Sequence, residues 1–244
     1  MNSLITKPGV HVLILLGAIA SFVFFQFFYP YHLFYQEQNQ LFLFSWDYIT
    51  TYLDKPGWLA CLTGDFLTQF YYYRYAGPTI LTLSILMAGY NVRCGVEDAD
   101  IKGTWIPYTI AIAVMTMLVC FSLHYDYRLS SIIAIAGGAN VFRFSTKILV
   151  STRMFVKKLE NQALRHTSID GTRLPQWITA VSIFISMLVC HWFFGCGMWI
   201  YAALVLLGCI KYINKPGNYT RLAAIAIPLF IIILDKRLYF IDFH

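Results

Sequence analysis

Residues 105–123 read WIPYTIAIAVMTMLVCFSL, nineteen positions without one Asp, Glu, Lys or Arg. As a helix this stretch is about 28 Å long at 1.5 Å per residue, close to the roughly 30 Å hydrocarbon core of a bilayer. Its apolar residues form a block and do not alternate, which argues against the strand pattern of a membrane barrel. The rest of the chain agrees. Of its 244 residues 59% are hydrophobic and 12% charged, with a mean hydropathy of +0.62. A soluble domain carries about 25% charged residues, so charge here is confined to a few places with long uncharged runs between them. The reading is an all-α, polytopic membrane helix bundle forming a single domain over residues 1–244.

Working outward from residues 105–123, similar runs predict seven spans. The first runs from Val10 to Tyr29 and is too long for the apolar region of a signal peptide, so it reads as an uncleaved anchor. The second is Gly77–Asn91, followed by a polar turn, Val92–Gly103. After the third comes the short connector His124–Arg128, and the fourth starts at Leu129, with Arg143 and Lys147 near its end. Its Ala134–Ala139 patch, holding Gly137 and Gly138, suits close helix contact. A basic loop is expected over 145–175. The fifth span, Gln176–Phe194, and the sixth, Gly195–Ile210, make a tight hairpin, and the seventh ends at Leu234.

Charge sets the orientation. The net charge of +6 is explained by retention of Lys and Arg on the cytoplasmic side, and no basic stretch has the interleaved aromatics of a nucleic-acid platform. With the N-terminus inside, thirteen of the 18 basic residues fall on the inner side, seven of them between Arg143 and Arg173. Only Lys55, Arg74, Arg128, Lys236 and Arg237 fall outside. The expected location is therefore a bacterial inner membrane with the N-terminus cytoplasmic and the C-terminus on the outer face. The six cysteines show no CxxC spacing and read as buried thiols, and no metal site is expected from them.

The long outer segment, residues 30–76, is where chemistry is expected. Helical spacing from Tyr35 onward puts Glu37, Gln40, Phe44, Asp47 and Thr51 on one arc, with Phe42, Trp46, Ile49 and Leu53 opposite. Asp54-Lys55-Pro56-Gly57 breaks that helix and opens a second. There Leu59, Leu62, Phe66, Phe70 and Tyr73 make an apolar stripe beside Asp65, Thr68, Gln69 and Tyr72. Two amphipathic helices lying in the interface follow. Glu37, Asp65 and Asp126 are the candidate outer carboxylates; Arg74 and Arg128 are the cations placed to meet an anionic lipid head group.

This order of anchor span, acidic outer loop, interfacial helices and second span resembles the opening of the GT-C superfamily of membrane glycosyltransferases. Tyr35–Gln38, Phe44-Ser45-Trp46, Gly64-Asp65-Phe66, Tyr71-Tyr72-Tyr73 and Gly77-Pro78 look like the first loop of its YfhO-like bacterial branch. The stretches HLFYQEQ (32–38), KPGWL (55–59) and GDFLTQF (64–70) also resemble those of a bacterial family of multi-pass inner-membrane proteins. The likeness covers about the first third of the chain. It implies an outer-face carboxylate acting as general base toward an acceptor hydroxyl, with a polyprenyl-phosphate-linked sugar as donor. On that pattern Glu37 is the base, Asp65 or Asp126 a second acid or metal partner, and Arg74 or Arg128 a phosphate contact. The chain departs from the pattern where Glu37 stands between glutamines instead of in an acidic pair. It also has fewer spans, and only Asp235–His244 follow the last one, where the likeness implies a soluble outer region. The competing expectation is a non-catalytic membrane subunit or scaffold that docks a lipid or a protein partner. A transporter, which would carry ionisable groups at mid-depth, fits the nearly charge-free spans less well.

Overall fold

The computed structural model describes residues 6–39, 42–99, 103, 105–163, 176–210 and 223–230, and every regular element among them is helical. In chain order these are α1 (Thr6–Val23), a π-helical turn (Phe24–Phe28), α2 (Pro30–Asn39), α3 (Trp46–Leu53), α4 (Trp58–Thr68), a 3-10 turn (Gln69–Tyr72), α5 (Ala76–Asp98), α6 (Ile106–Phe121), α7 (Leu129–Ala163), α8 (Gln176–Phe194) and α9 (Gly197–Ile210). Residues 223–230, inside the expected seventh span, are also helical; the remainder of that span and the C-terminal tail lie outside the described residues.

By length and apolarity, Ala76–Asp98 and Leu129–Thr152 are able to cross a membrane. A third span is added if Val12–Phe28 and Pro30–Asn39, bent by 78° at their junction, count as one. Ile106–Phe121, Ile178–Phe194 and Gly197–Cys209 are apolar but shorter.

Three expected boundaries move. The polar turn at Val92–Gly103 is helical as far as Asp98, because Arg93 and Glu97 pair one turn apart (2.9 Å) along α5. The basic loop expected from residue 145 is helical through Ala163, so α7 is about 52 Å long and overshoots a bilayer core. The single amphipathic helix read from Tyr35 to Leu53 is two helices. Ser45 is extended and accepts a hydrogen bond from the Tyr48 amide on Oγ (3.2 Å), which caps α3. Glu37 and Asp47 therefore lie on separate helices and share no acidic face.

α5 and α7 run through the centre, with α6 on α5, α8 and α9 on α7, and α4 across the first turns of α7. Contact between α7 and its neighbours depends on small residues. A Cβ on Gly64 would lie 2.6 Å from Ser130 Cα; one on Gly138 would meet the Gly197 carbonyl, and one on Gly197 the Ala134 carbonyl. Backbones approach this closely only where side chains are missing. Large apolar side chains instead point outward along several helices, as Leu83 (58% exposed) and Ile185 (54%) do.

The helix ends sort into two groups. At one end Tyr29 Oη donates to the Leu123 carbonyl (3.3 Å), Gly64 meets Ser130, and the Gly57 amide donates to the Trp192 carbonyl (2.8 Å). At the other, Arg143 pairs with Asp98 (3.4 Å) and Ala99 packs beside Gly208. Successive helices thus run in opposite directions between two ends.

Gly138→Val would drive a branched side chain into the backbone of α9, a clash no rotamer relieves. A cost of about 3 kcal/mol is expected, read as an earlier midpoint of SDS-induced unfolding in micelles. Gly208→Ala, whose methyl group meets Ala99 at an ordinary 3.8 Å, should leave the midpoint in place. Equal midpoints for the two variants would contradict the close α7–α9 contact.

Candidate functional site

The residues that sequence reading singled out gather at the first of these two ends. Its frame is the turn before α4. Gly57 (φ +81°) and Gly195 (φ +50°) both take the left-handed region, and their backbones touch, so a Cβ on Gly57 would lie 3.1 Å from Gly195 Cα. This contact seats α4 against the α8–α9 hairpin. Ala60, Gly64 and Thr68, spaced four apart, then lie buried, with α4 packed on α7, while Phe70 and Tyr72 are left exposed.

Asp65 shares the buried face and is 8% exposed. A carboxylate this deep needs a hydrogen-bond donor, and α3 supplies it: Tyr52 Oη donates to Asp65 Oδ2 at 2.7 Å. Tyr48, one turn earlier, has its hydroxyl 2.6 Å from that of Tyr52. Burial, reinforced by Tyr48 and by the Asp65 charge, pushes the Tyr52 phenol far above its ordinary range, so it remains a donor. Asp65 is thus committed to holding α3 on α4. Cys61, one turn before it, has its thiol pushed up by burial and by Asp65, against the opposing pull of Arg128 and Lys55. It is a poor nucleophile. The same influences put Asp65 and Arg128 in one neighbourhood around Cys61.

A second cluster joins α2 to the connector before α7. Gln36 Nε2 donates to the Tyr127 carbonyl (2.9 Å) and lies 3.2 Å from His32 Nε2. That carbonyl fixes the amide orientation, so the second amide hydrogen faces the imidazole. His32 Nε2 is then the acceptor and Nδ1 carries the proton. Tyr29, His32 and Tyr35 pack around Tyr125, with the His32 and Tyr125 ring centroids 4.7 Å apart. His32 is 1% exposed, and burial holds its pKa below the ordinary value, with the Ser122 backbone opposing more weakly. The neighbouring Tyr127 phenol is pushed up to about 12, mainly by burial.

The five predicted residues are placed unevenly. Asp65 and Arg128 share the Cys61 neighbourhood. Glu37 is half-buried on α2, and Asp126 is exposed on the connector that Gln36 grips. Arg74 is exposed, its guanidinium 5.6 Å from the Tyr75 ring centroid, a cation–π contact between chain neighbours. No hydrogen bond joins any two of Glu37, Asp65 and Asp126, and among the described residues no three His, Cys, Asp or Glu side chains gather as metal ligands. Sequence reading missed Tyr52 and Gln36. The four-residue spacing of Tyr48 and Tyr52 was a usable signal for the first; the partner of Gln36 is a backbone carbonyl 91 residues away, which leaves no trace in composition.

A family profile described as a family of unknown function (DUF6057) matches residues 5–243, and the chain belongs to that family. Neither the curated proteins nor the solved structures contain a match.

Because His32 is held neutral in the fold while the unfolded ring protonates below about pH 6.5, stability is lost as pH falls through that value toward the lower folded pKa. The thermal midpoint in detergent should drop between pH 7.5 and 5.5. In His32→Gln that drop should shrink, whatever the variant's absolute midpoint. An equal drop in both proteins would remove His32 from the account.

Proposed function

We propose that this protein is a seven-span membrane protein, N-terminus inside and in a bacterial inner membrane, whose outer-face layer (residues 30–76) is a docking platform for a lipid or a protein partner. The observation that carries the topology is the sorting of helix ends. Residues expected outside (Tyr29, Gly57, Gly64, Leu123, Ser130, Trp192) meet one another, and residues expected inside (Asp98, Ala99, Arg143, Gly208) meet at the opposite end. The many large apolar side chains left exposed along α1, α5 and α8, among them Leu15, Leu16, Leu83, Met87, Val181 and Ile185, support a lipid-facing surface over a water-facing one. Exposed Phe44, Trp46, Tyr72 and Tyr73 at the outer end suit an aromatic belt.

The platform reading is favoured over catalysis by Asp65, the most buried of the three carboxylates, which is tied to Tyr52. A positioned, committed acid builds a surface and does not collect protons. A second reading, a GT-C-like transferase acting on a polyprenyl-phosphate-linked sugar, draws support from Glu37. Its carboxylate enters no hydrogen bond or ion pair among the described residues, as a waiting base would.

On a background without native cysteines, Asp54→Cys should react with a membrane-impermeant maleimide in intact cells, and Lys147→Cys only after permeabilisation. The reverse pattern would invert the orientation, and labelling of both in intact cells would end the spanning account. For the second reading, Glu37→Gln should abolish lipid-linked sugar transfer by the purified protein, and unchanged turnover would remove Glu37 as the base.

A further inference from the structure

The start of α4 is seated on the α8–α9 hairpin by contacts at successive residues. The Gly57 amide donates to the Trp192 carbonyl at 2.8 Å, the Trp58 and Phe193 ring centroids are 5.5 Å apart, and the backbones of Gly57 and Gly195 touch. On the α7 side of the same corner, Gly64 meets Ser130, and Gly197 meets the Ala134 carbonyl one turn further along α7.

Each of the two segments carries a cysteine between its glycine contacts. Cys61 stands one turn after Gly57, its amide donating to the Gly57 carbonyl at 3.0 Å, and three residues before Gly64. Cys196 stands between Gly195 and Gly197. Both thiols therefore border the corner where α4, the hairpin turn and the first turns of α7 come together. Cys196 is exposed there and Cys61 is half-buried. The Cys61 thiol is pushed up first by burial and then by Asp65, and Cys196 adds a smaller push in the same direction, as a close neighbour would. The other cysteines are placed differently. Cys94 and Cys209 are buried toward the end where Arg143 meets Asp98, Cys190 is wholly buried in α8, and Cys120 is exposed on α6, which packs on α5.

Resting on the outer-face placement proposed above, we propose that Cys61 and Cys196 form a disulfide, a covalent latch fastening α4 to the α8–α9 hairpin. The compartment outside a bacterial inner membrane is oxidising, and the oxidant is a disulfide-bearing donor of that compartment. The exposed Cys196 thiolate attacks one donor sulfur, which forms a mixed disulfide and releases one donor thiol. The Cys61 thiolate then attacks the Cys196 sulfur, which forms the Cys61–Cys196 bond and releases the second donor thiol. The two protein thiols give up two electrons and two protons, and the donor disulfide takes up both. Cys196 reacts first because Cys61 is less accessible and less ionised. The bond closes a long loop and so restrains the unfolded chain. It also fixes the position of the α2–α4 layer, the docking platform of the reading above.

The test uses the full-length protein, purified in detergent and treated with oxidised glutathione. After blocking with N-ethylmaleimide and digestion without reductant, mass spectrometry should find the Cys61 peptide joined to the Cys196 peptide. The oxidised protein should carry two fewer maleimide adducts than the reduced one and unfold at a higher SDS midpoint. Cys61→Ser and Cys196→Ser should each lose the cross-link and the rise in midpoint, and Cys190→Ser should keep both. The same mapping on intact cells, quenched in acid before alkylation, should find the cross-link already formed. No cross-link in the purified protein, or Cys196 joined only to Cys190 or to glutathione, overturns the pairing while leaving the outer-face placement standing. A cross-link that forms in the purified protein while cells hold both thiols reduced overturns the latch together with the placement it rests on.

Discussion

Everything at the candidate site is held in position by close backbone contact around the first turns of α7. In the membrane reading proposed above, hydrocarbon provides little drive to bring apolar helices together, so close packing does it. Gly64 against Ser130, and Gly138 against Gly197, bring α4 and α9 nearer to α7 than any larger side chain would allow. The Gly57–Gly195 contact then closes the turn before α4 onto the α8–α9 hairpin. With α4 set in this way, Asp65 is largely buried and takes its hydrogen bond from Tyr52. That bond brings α3 into the layer. A chain of cause runs from missing side chains to a buried carboxylate to the shape of the α2–α4 layer.

The same contacts explain how the apolar residues are distributed. Buried side chains form two clusters, one around Leu81, Ile85, Leu118 and Ile132, the other around Val96, Phe142, Met187 and Tyr201. The small residues of α7 lie between them, and larger apolar groups turn outward. Charge stays near the ends. Arg143, which intrudes on the fourth run of the sequence, is paired with Asp98 and also reaches Asn91 at 3.5 Å, so its cost within α7 is met by α5. Lys147, one turn further along α7, is exposed and lies toward the end of the Leu129–Thr152 stretch.

Much of the helical fold was legible in the sequence, because uncharged blocks and their spacing reflect a solvent constraint that acts on whole segments. The break at Asp54–Gly57 was legible too, through Pro56 and Gly57, and Gly57 takes a positive φ there. The break near residues 42–45 was not. Phe42, Trp46 and Ile49 keep a helical phase across it, and only the Ser45 cap marks the new start. For the site, the sequence placed Glu37, Asp65, Asp126 and Arg128 at one end but could not tell a committed carboxylate from an uncommitted one. That difference lies in Tyr52 reaching Asp65 while nothing among the described residues reaches Glu37. Tertiary hydrogen bonds such as Gln36 to the Tyr127 carbonyl join positions with no shared period or motif.

The account's central claim is that the outward apolar side chains face lipid and the α2–α4 layer faces the interface. Spin labels at Leu83 and Ile185, and at Phe44 and Asp54, in reconstituted protein would measure this through relaxation by oxygen and by a water-soluble nickel complex. The account predicts oxygen-dominated relaxation at Leu83 and Ile185, and nickel access at Phe44 and Asp54. Nickel access at Leu83 and Ile185 equal to that at Asp54 would contradict it.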